Sequence, residues 1–459
     1  MNSKSHYDIS ERRILLRVFD ILFIIFSLVF ASKFLSFTYI NFLDFRIFKW
    51  LFLLACYYLL FGEIFQLYDL NVSNNRYKVL RSLSLTAVIT TIFYIFTPFI
   101  APSLPENRLQ IVYFLLILFL PVFIWRLMYM SLLYSPKFFK SVVFIGQSDF
   151  IASLIKEVKK DNIHNLRGYI TDKKIEKIDG FHDISKEKLN SIISKQHITE
   201  VVVSLKGLSP EIISKINNEL IQLFEKGINI VSYETFYENL IERIPPGYLS
   251  SSFYKYINFN KNNSNRFYLL GLRIADILLG VIGLIVFTSF IPFLLIGNFL
   301  GNRGKLFYTQ KRVGQYGEVF KIYKLRSMVT DAESNGAVWA KKNDSRITTF
   351  GKFLRKTRLD ELPQFYNILK GDMSIIGPRP ERPEFVKDLT EKIPFYSIRN
   401  VVRPGLTGWA QVNYPYANTI EEQEIKLRYD LYYIKERSTF LDFQILIKTI
   451  TTVLFFKGQ

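Results

Sequence analysis

The chain has 459 residues, 49% of them hydrophobic and 22% charged, and its formal net charge is +19. This hydrophobic content excludes intrinsic disorder, which combines low hydrophobicity with high net charge. A single cysteine excludes an intrachain disulfide and a thiolate metal cluster. The positive charge favours a polyanionic partner: nucleic acid, an anionic membrane face or a phosphorylated substrate.

The histidines and the cysteine are unevenly placed along the chain. His6, His164, His182, His197 and Cys56 all lie within the first 200 residues. Any chemistry in the remainder of the chain must therefore use carboxylates, hydroxyls, lysines and arginines. This narrows the candidate catalytic groups more than any other feature of the composition.

Four apolar stretches occur before residue 130, at 18–37, 47–67, 83–100 and 109–125. Each has about the 17–25 residues that a helix needs to cross a hydrocarbon core. Buried core helices are the alternative, but four such stretches joined by short polar loops favour membrane spans. We therefore predict a four-span transmembrane bundle over residues 1–135.

Basic residues mark one side of the predicted spans. Loops rich in lysine and arginine face the cytoplasm in membrane proteins. Such residues precede the first span, separate the second from the third and follow the fourth: Lys4, Arg12, Arg13, Arg17, Arg76, Lys78, Arg81, Arg126, Lys137 and Lys140. The opposite loops carry only Arg46 and Arg108, each near an acid. Both ends of the bundle are predicted to face the cytoplasm.

A fifth apolar stretch, 277–300, has no charge and is long enough to span. If it crossed, residues 301–459 would lie outside, although they hold 27 Lys and Arg against 17 Asp and Glu. Pro292 interrupts the stretch and removes a helix hydrogen bond. We favour a re-entrant helix over 274–300, broken at Pro292, that dips into the cytoplasmic leaflet; spanning is the alternative.

Residues 136–260 alternate short apolar runs (142–146, 200–205 and 228–233) with helical patterns. This alternation is typical of a doubly wound parallel sheet. Gly146-Gln147-Ser148 starts like a dinucleotide fingerprint but lacks its second and third glycines. A Rossmann-like accessory domain is predicted, and both a nucleotide-binding and a structural or regulatory role remain open. Residues 246–265 have the composition of a linker.

The last third of the chain is dense in residues suited to phosphate handling. A strand over 321–326 would present Lys324 and Arg326 on one face. Two adjacent acids, Asp360 and Glu361, follow three cations, and rigid turns near residues 377–380 and 403–409 present further arginines. Each feature has a simpler explanation: Asp360 could cap a helix beginning near Pro363, and arginine-rich stretches are usually solvated. Nucleic-acid binding is less favoured because no recognised motif occurs.

Taken together, these segments resemble the bacterial sugar transferases, specifically the large monotopic polyprenyl-phosphate phosphoglycosyl transferases. The most specific segments are 320–328, 359–364, 373–380 and 403–413. The resemblance implies a membrane protein of the α plus α/β class. Its parts would be the four-helix transmembrane bundle at 1–135, the Rossmann-like domain at 136–260 and a catalytic α/β domain with the re-entrant helix at 261–459.

The resemblance also implies the reaction and the residues that perform it. A sugar 1-phosphate would pass from a UDP-sugar, such as UDP-glucose or UDP-galactose, to undecaprenyl phosphate, with release of UMP. Asp360 would be the nucleophile and, with Glu361, would bind Mg²⁺. The phosphate- and nucleotide-binding residues would be four arginines: Arg326, Arg355, Arg379 and Arg403. The family often has Ser-Pro at the helix break, whereas Ile291 precedes Pro292 here.

Location and partners follow from the same resemblance. The protein would be a multi-pass protein of the bacterial inner membrane, with its catalytic domain on the cytoplasmic face. It would begin exopolysaccharide, capsule or O-antigen synthesis, bind the lipid bilayer and form a homodimer, with no nucleic-acid partner. A non-catalytic scaffold for glycan enzymes is the main alternative, and a polytopic transporter is disfavoured by the small number of spans.

The chemistry is also reasonable without the family. A carboxylate that attacks a phosphate forms an acyl phosphate, which is one kind of covalent catalysis. Cations neutralise the charge that spreads over the phosphoryl oxygens. Because three cations precede Asp360, we expect them to stabilise its ionised form at neutral pH.

Overall fold

The computed structural model describes residues 9–35, 37–73, 76–97, 99–105, 107–132, 140–158, 164–176, 178–184, 189–196, 198–247, 265–330, 332, 344–414 and 417–454. The chain divides into two compact units, residues 1–236 and 237–459. The predicted ends of the three domains, near 135 and 260, lie outside the described residues.

The first unit begins with helices that match the four predicted spans. They are α1 (Ile9–Phe34), α2 (Ile47–Ile64), the short α3 (Leu70–Ser73), α4 (Arg76–Ile95) and α5 (Leu109–Leu132). Helix α1 packs on α5, α2 on α4, and α4 on α5. By length and composition, α1, α2, α4 and α5 are each able to cross a membrane, as is one later helix. The prediction of apolar helices is therefore confirmed.

A buried ion pair joins α1 to α5. Arg126 donates to Asp20 at 2.6 Å, and both side chains are fully enclosed. Isolated charges are very unfavourable in an apolar environment, so each of these residues requires the other. The guanidinium also lies over the ring of Tyr68.

The parallel sheet predicted from the sequence is present in the first unit. Its strands follow the order β3-β2-β1-β4-β5 and all neighbouring pairs are parallel. The strands are β1 (Lys140–Ile145), β2 (His164–Thr171), β3 (Phe181–Asp183), β4 (Glu200–Val203) and β5 (Asn229–Ser232). The helices between and after them are α6 (Ser148–Val158), α7 (Leu189–Gln196), α8 (Pro210–Glu225) and α9 (Tyr233–Ile241).

The incomplete glycine fingerprint follows β1. Gly146 has φ of 154°, and an added Cβ there would lie 2.7 Å from the carbonyl oxygen of Ser204. The carboxylate of Asp172, after β2, accepts a hydrogen bond from the backbone N–H of Ser148 at 2.9 Å. One N–H group that a bound phosphate would use is therefore already satisfied. Nucleotide binding by this sheet stays a prediction.

The second unit is built around a long helix, a hairpin and a small parallel pair of strands. Its helices are α10 (Arg266–Gly301), α11 (Thr349–Thr357), α12 (Gln364–Lys370), α13 (Pro383–Lys392), α14 (Trp409–Asn413), α15 (Ile420–Glu436) and α16 (Thr439–Leu454). Strands β6 (Phe307–Val313) and β7 (Val319–Leu325) are antiparallel, while β8 (Ser374–Ile376) and β9 (Gly405–Thr407) are parallel. Its largest buried side chain is Trp409.

The segment that follows the sheet belongs to the second unit. Trp409 donates to the carbonyl of Glu242 at 2.8 Å, and Arg428 donates to that of Ile244 at 2.6 Å. Glu238 forms an ion pair with Lys435 of α15 at 2.7 Å. Residues 237–247 therefore fold with the C-terminal part of the chain, whereas the sequence assigned them to the accessory domain.

Helix α10 contains the predicted re-entrant segment and begins eight residues before it. It starts at Arg266 because the side chain of Asn265 accepts hydrogen bonds from the N–H groups of Phe267 and Tyr268. The helix continues through Pro292 to Gly301. The residues on both sides of Pro292 are helical, so the helix does not end at the proline, and a break there stays a prediction.

Candidate active site

Asp360 and Glu361 lie in a single 3-10 turn, Leu359–Glu361, between α11 and α12. Arg358 ends α11 in the left-handed conformation, with φ of 59°, and so redirects the chain into this turn. Both acidic side chains are buried. The N-cap position of α12 is occupied by Pro363, without a side-chain cap. Asp360 is therefore not the helix cap that the simpler interpretation of the sequence proposed.

Glu361 is held by three cations. Its Oε1 atom accepts a hydrogen bond from Arg379 at 2.7 Å and lies 3.7 Å from the ammonium of Lys324 and 3.8 Å from the guanidinium of Arg358. Burial alone would raise the pKa of Glu361, but the charges of these three residues hold that pKa well below its usual range. Glu361 is thus a fixed negative charge at every physiological pH.

Asp360 differs from its neighbour in both contacts and charge. Its Oδ1 atom is buried and has no hydrogen-bond partner among the residues that the structure describes. Burial, together with the charge of Glu361, raises the pKa of Asp360 to about 6, although Lys324, Arg355 and Arg358 oppose that shift. The cations therefore stabilise ionised Asp360 less than the sequence led us to expect. Most Asp360 side chains are still ionised at pH 7, and their free oxygen is available to react.

Lys324, which was not among the predicted site residues, completes this cluster. It lies on β7 beside Glu361, and burial lowers the pKa of its ammonium to about 8 despite the attraction of that carboxylate. The alternation of apolar and basic residues over 321–326 was the sequence signal for it. A cation so close to Asp360 and Glu361 is well placed to contact a phosphate.

The four predicted phosphate-binding arginines do not all reach the acidic pair. Arg379 contacts Glu361, as described above, and Arg355 lies within the electrostatic range of Asp360. The Nε atom of Arg355 donates to the hydroxyl of Ser327 at 3.0 Å, which fixes the direction of its side chain.

Arg326 and Arg403 have other surroundings. Strand β7 ends at Leu325, and the guanidinium of Arg326 donates to three backbone carbonyls, those of Asn302, Lys305 and Met328. Three of the five N–H groups of Arg326 thus hold this turn, and its role in phosphate binding stays a prediction. Arg403 lies near Asp276 of α10, and its role in nucleotide binding stays a prediction.

Asp360 and Glu361 are compatible with a magnesium ion, but only if the substrate supplies some of its ligands. Among the described residues, no group of three or more His, Cys, Asp and Glu side chains could hold a metal. Mg²⁺ commonly uses one or two carboxylates and completes its octahedron with water and substrate phosphates. The unpartnered Oδ1 of Asp360 is a suitable hard oxygen donor, and Glu361 could supply a second. Asp360 and Glu361 therefore fit the ion if a diphosphate supplies further ligands.

Comparison with known proteins points to one family. The bacterial sugar transferase family matches residues 267–456. The chain is 49% identical over 142 residues to a putative undecaprenyl-phosphate N-acetylgalactosaminyl 1-phosphate transferase of Bacillus subtilis, which is 31% of this chain and 79% of the relative.

Two longer relatives are matched over a smaller share of their length. A UDP-N-acetylgalactosamine-undecaprenyl-phosphate N-acetylgalactosaminephosphotransferase of Aeromonas hydrophila is 47% identical over 40% of this chain and 43% of its own. A UDP-glucose:undecaprenyl-phosphate glucose-1-phosphate transferase of Xanthomonas campestris is 39% identical over 43% of this chain and 42% of its own. The chain thus spans less than half the length of these two relatives.

Proposed function

Because the chain belongs to the bacterial sugar transferase family, we propose that it transfers a sugar 1-phosphate from a UDP-sugar to undecaprenyl phosphate and releases UMP. The observation that carries this proposal is the asymmetry of the acidic pair. Glu361 is held by three cations, whereas no described residue forms a hydrogen bond with the buried Oδ1 of Asp360. Such an arrangement suits a carboxylate nucleophile beside a phosphate-binding cation cluster.

The proposed reaction proceeds in two steps. In the first, a carboxylate oxygen of Asp360 attacks the phosphorus bonded to the sugar. The bond from this phosphorus to the oxygen bridging the two phosphates breaks, and UMP leaves with the electron pair. In the second, an oxygen of the lipid phosphate attacks the same phosphorus, which breaks the acyl-phosphate bond. Asp360 is regenerated as a carboxylate, and the product is a lipid diphosphate sugar.

The cations around the pair have distinct tasks in this scheme. Lys324 and Arg358 lie beside Glu361, where they can also neutralise phosphoryl oxygens as charge spreads in the transition state. Arg379 is fixed in direction by its bond to Glu361. Magnesium, held by Asp360 and Glu361 with the diphosphate, would further neutralise the phosphate charge.

The sugar is the least constrained part of the proposal. The family resemblance implied a hexose such as glucose or galactose. Two of the relatives described above are named for N-acetylgalactosamine and one for glucose. We therefore place UDP-N-acetylgalactosamine first among the donors and test UDP-glucose and UDP-galactose beside it.

The proposal is tested by purified protein in lipid vesicles that contain undecaprenyl phosphate. With a radiolabelled UDP-sugar, we expect label to enter the lipid fraction and an equal amount of UMP to appear. EDTA should stop both events, and excess Mg²⁺ should restore them. If no donor yields UMP or labelled lipid, the proposal is wrong, and a non-catalytic scaffold in glycan assembly becomes the better explanation.

The two shifted pKa values predict the pH dependence of this activity. Below a pH of about 6 Asp360 becomes protonated and loses its nucleophilic form, so kcat/KM should fall as the pH is lowered. Above a pH of about 8 Lys324 loses its charge, so kcat/KM should fall again. Lys324→Arg should remove the alkaline limb, because arginine stays protonated. An alkaline limb unchanged in Lys324→Arg would show that another group titrates there.

The packing of α10 bears on the position of the site relative to the membrane. Gly280 and Gly283, near the middle of the helix, lie against Leu369 and Phe365, whereas Gly297 and Gly301, near its C-terminal end, lie against Phe350. Residues 350–369, which include the acidic pair, therefore extend along one face of α10. If α10 crossed the bilayer, the charged groups of this segment would follow it into the hydrocarbon, which is very unfavourable.

We accordingly infer that α10 enters and leaves the cytoplasmic leaflet of a bacterial inner membrane. We expect single cysteines at Arg266 and Lys305, in a Cys56→Ser background, to react with a membrane-impermeant reagent only after cells are lysed. If Lys305→Cys is labelled in intact cells while Arg266→Cys is protected, α10 spans the membrane. Pro292→Leu should favour such a spanning form and reduce activity, because proline disfavours a straight helix.

A further inference from the structure

The turn that carries Arg379 is fixed by contacts on its backbone. Each carbonyl from residue 378 to residue 381 accepts a hydrogen bond from outside the turn, which restrains the backbone of this segment. The bonds are Gly405 N–H to Pro378, Arg399 to Arg379, Arg312 to Pro380 and Val313 N–H to Glu381, at 2.9, 2.9, 3.0 and 2.9 Å.

Arg399 is the side chain that holds the carbonyl of Arg379 itself. It lies in the 3-10 turn Tyr396–Val401 and is only 2% exposed. Its Nη2 atom donates both to that carbonyl and to Asp430 of α15, at 2.9 and 2.8 Å, and its Nε atom donates to the same carboxylate at 3.1 Å. A third donor, Nη1, reaches the hydroxyl of Tyr396 at 3.2 Å.

Asp430 explains why Arg399 points in this direction. The carboxylate is 2% exposed and accepts two hydrogen bonds from the guanidinium. A planar guanidinium held by such bonds has little rotational freedom. The second N–H group of Arg399 Nη2 is therefore directed at the carbonyl oxygen of Arg379. The guanidinium of Arg379 in turn contacts Glu361 at 2.7 Å.

We propose that Arg399 and Asp430 are a positioning pair, which holds the backbone of Arg379 so that its guanidinium meets Glu361 and the substrate phosphates. The assignment rests on the proposed transferase function. Neither residue contacts Asp360 or Glu361 among the described residues, so the pair acts through Arg379. A shift of about 1 Å at a catalytic group can lower a rate by roughly 100-fold.

The test is a double-mutant cycle on UMP release and lipid labelling. Removing Arg399 alone would leave a buried, unpaired carboxylate and could unfold the chain. The pair is therefore neutralised together, as Arg399→Gln with Asp430→Asn, and Arg399→Lys serves as the conservative variant. We expect the neutral pair to lower kcat by roughly 10- to 100-fold, and Arg399→Lys to retain an intermediate rate.

Combination with Arg379→Ala distinguishes positioning from a general structural role. If the pair acts through Arg379, its neutralisation should lower kcat by less than about 3-fold in the Arg379→Ala background. A merely destabilising change would instead lower kcat by the same factor in both backgrounds.

A matched control removes another ion pair of α15. Lys435 and Glu238 lie 2.7 Å apart, and neither belongs to the turn at 378–381. Glu238→Gln with Lys435→Gln should keep kcat within about 3-fold in both backgrounds. If neutralising Arg399 and Asp430 lowers kcat by the same factor in the wild-type and Arg379→Ala backgrounds, the assignment is wrong, even if the wild-type protein is active. A wild-type protein that releases no UMP would overturn the proposed function and, with it, this assignment.

Discussion

Asp360→Asn is expected to abolish turnover, with a loss of roughly 10⁴-fold or more, as for removal of other catalytic nucleophiles. Asparagine has nearly the same shape but lacks the charge and the nucleophilic oxygen pair. Because Oδ1 of Asp360 has no hydrogen-bond partner in the described part of the chain, the substitution breaks no hydrogen bond to that part through this atom. The variant should fold, bind the bilayer and still release no UMP.

The matched control for this change is Asp388→Asn. Asp388 lies on α13, about half exposed, and pairs with Lys392. Ion pairs of this kind on the surface contribute about 0–1 kcal/mol, so activity should be unchanged. Substantial UMP release by Asp360→Asn would show that another group is the nucleophile.

Arg379→Ala should lower kcat by roughly 10³-fold, by analogy with arginines that stabilise phosphoryl-transfer transition states. The substitution removes a guanidinium bonded to Glu361 at 2.7 Å. It also removes the closest of the three cations that keep the pKa of Glu361 low. Arg379→Lys keeps the charge but not the planar pair of donors, and we expect it to lose less activity.

Initial rates of UMP release measure this effect, with thermal unfolding to confirm that each variant is folded. Lys370→Ala is the control, because Lys370 is exposed and pairs with Asp372 outside the site. Near-normal activity of Arg379→Ala would remove Arg379 from the catalytic machinery. It would also remove the basis for the positioning role of Arg399.

Several features of the fold could be predicted from local sequence. The apolar stretches that became α1, α2, α4 and α5 are long enough to be recognised without any tertiary information. The parallel sheet followed from short apolar runs between helical patterns. The start of α10 was harder to predict, because its first turn depends on the side-chain cap of Asn265.

The sequence indicates the acidic pair of the candidate site but not the charge states of its two carboxyl groups. Asp360 and Glu361 are adjacent, yet the pKa of Asp360 is raised and that of Glu361 is lowered. This difference depends on the fold, because it is Glu361 that Arg379, distant in sequence, contacts. Lys324 and Arg326 are two residues apart, but only Lys324 contacts the acidic pair. Arg326 instead bonds to carbonyls that the fold places around it.

The most direct test of the central claim maps the covalent intermediate. Wild-type protein is mixed with a UDP-sugar in the absence of undecaprenyl phosphate, quenched, digested and analysed by mass spectrometry. We predict that the peptide containing Asp360 gains the mass of the sugar 1-phosphate, that UMP is released in equal amount, and that undecaprenyl phosphate removes the added mass. An adduct on a different residue, or lipid product formed without any adduct, would contradict the account.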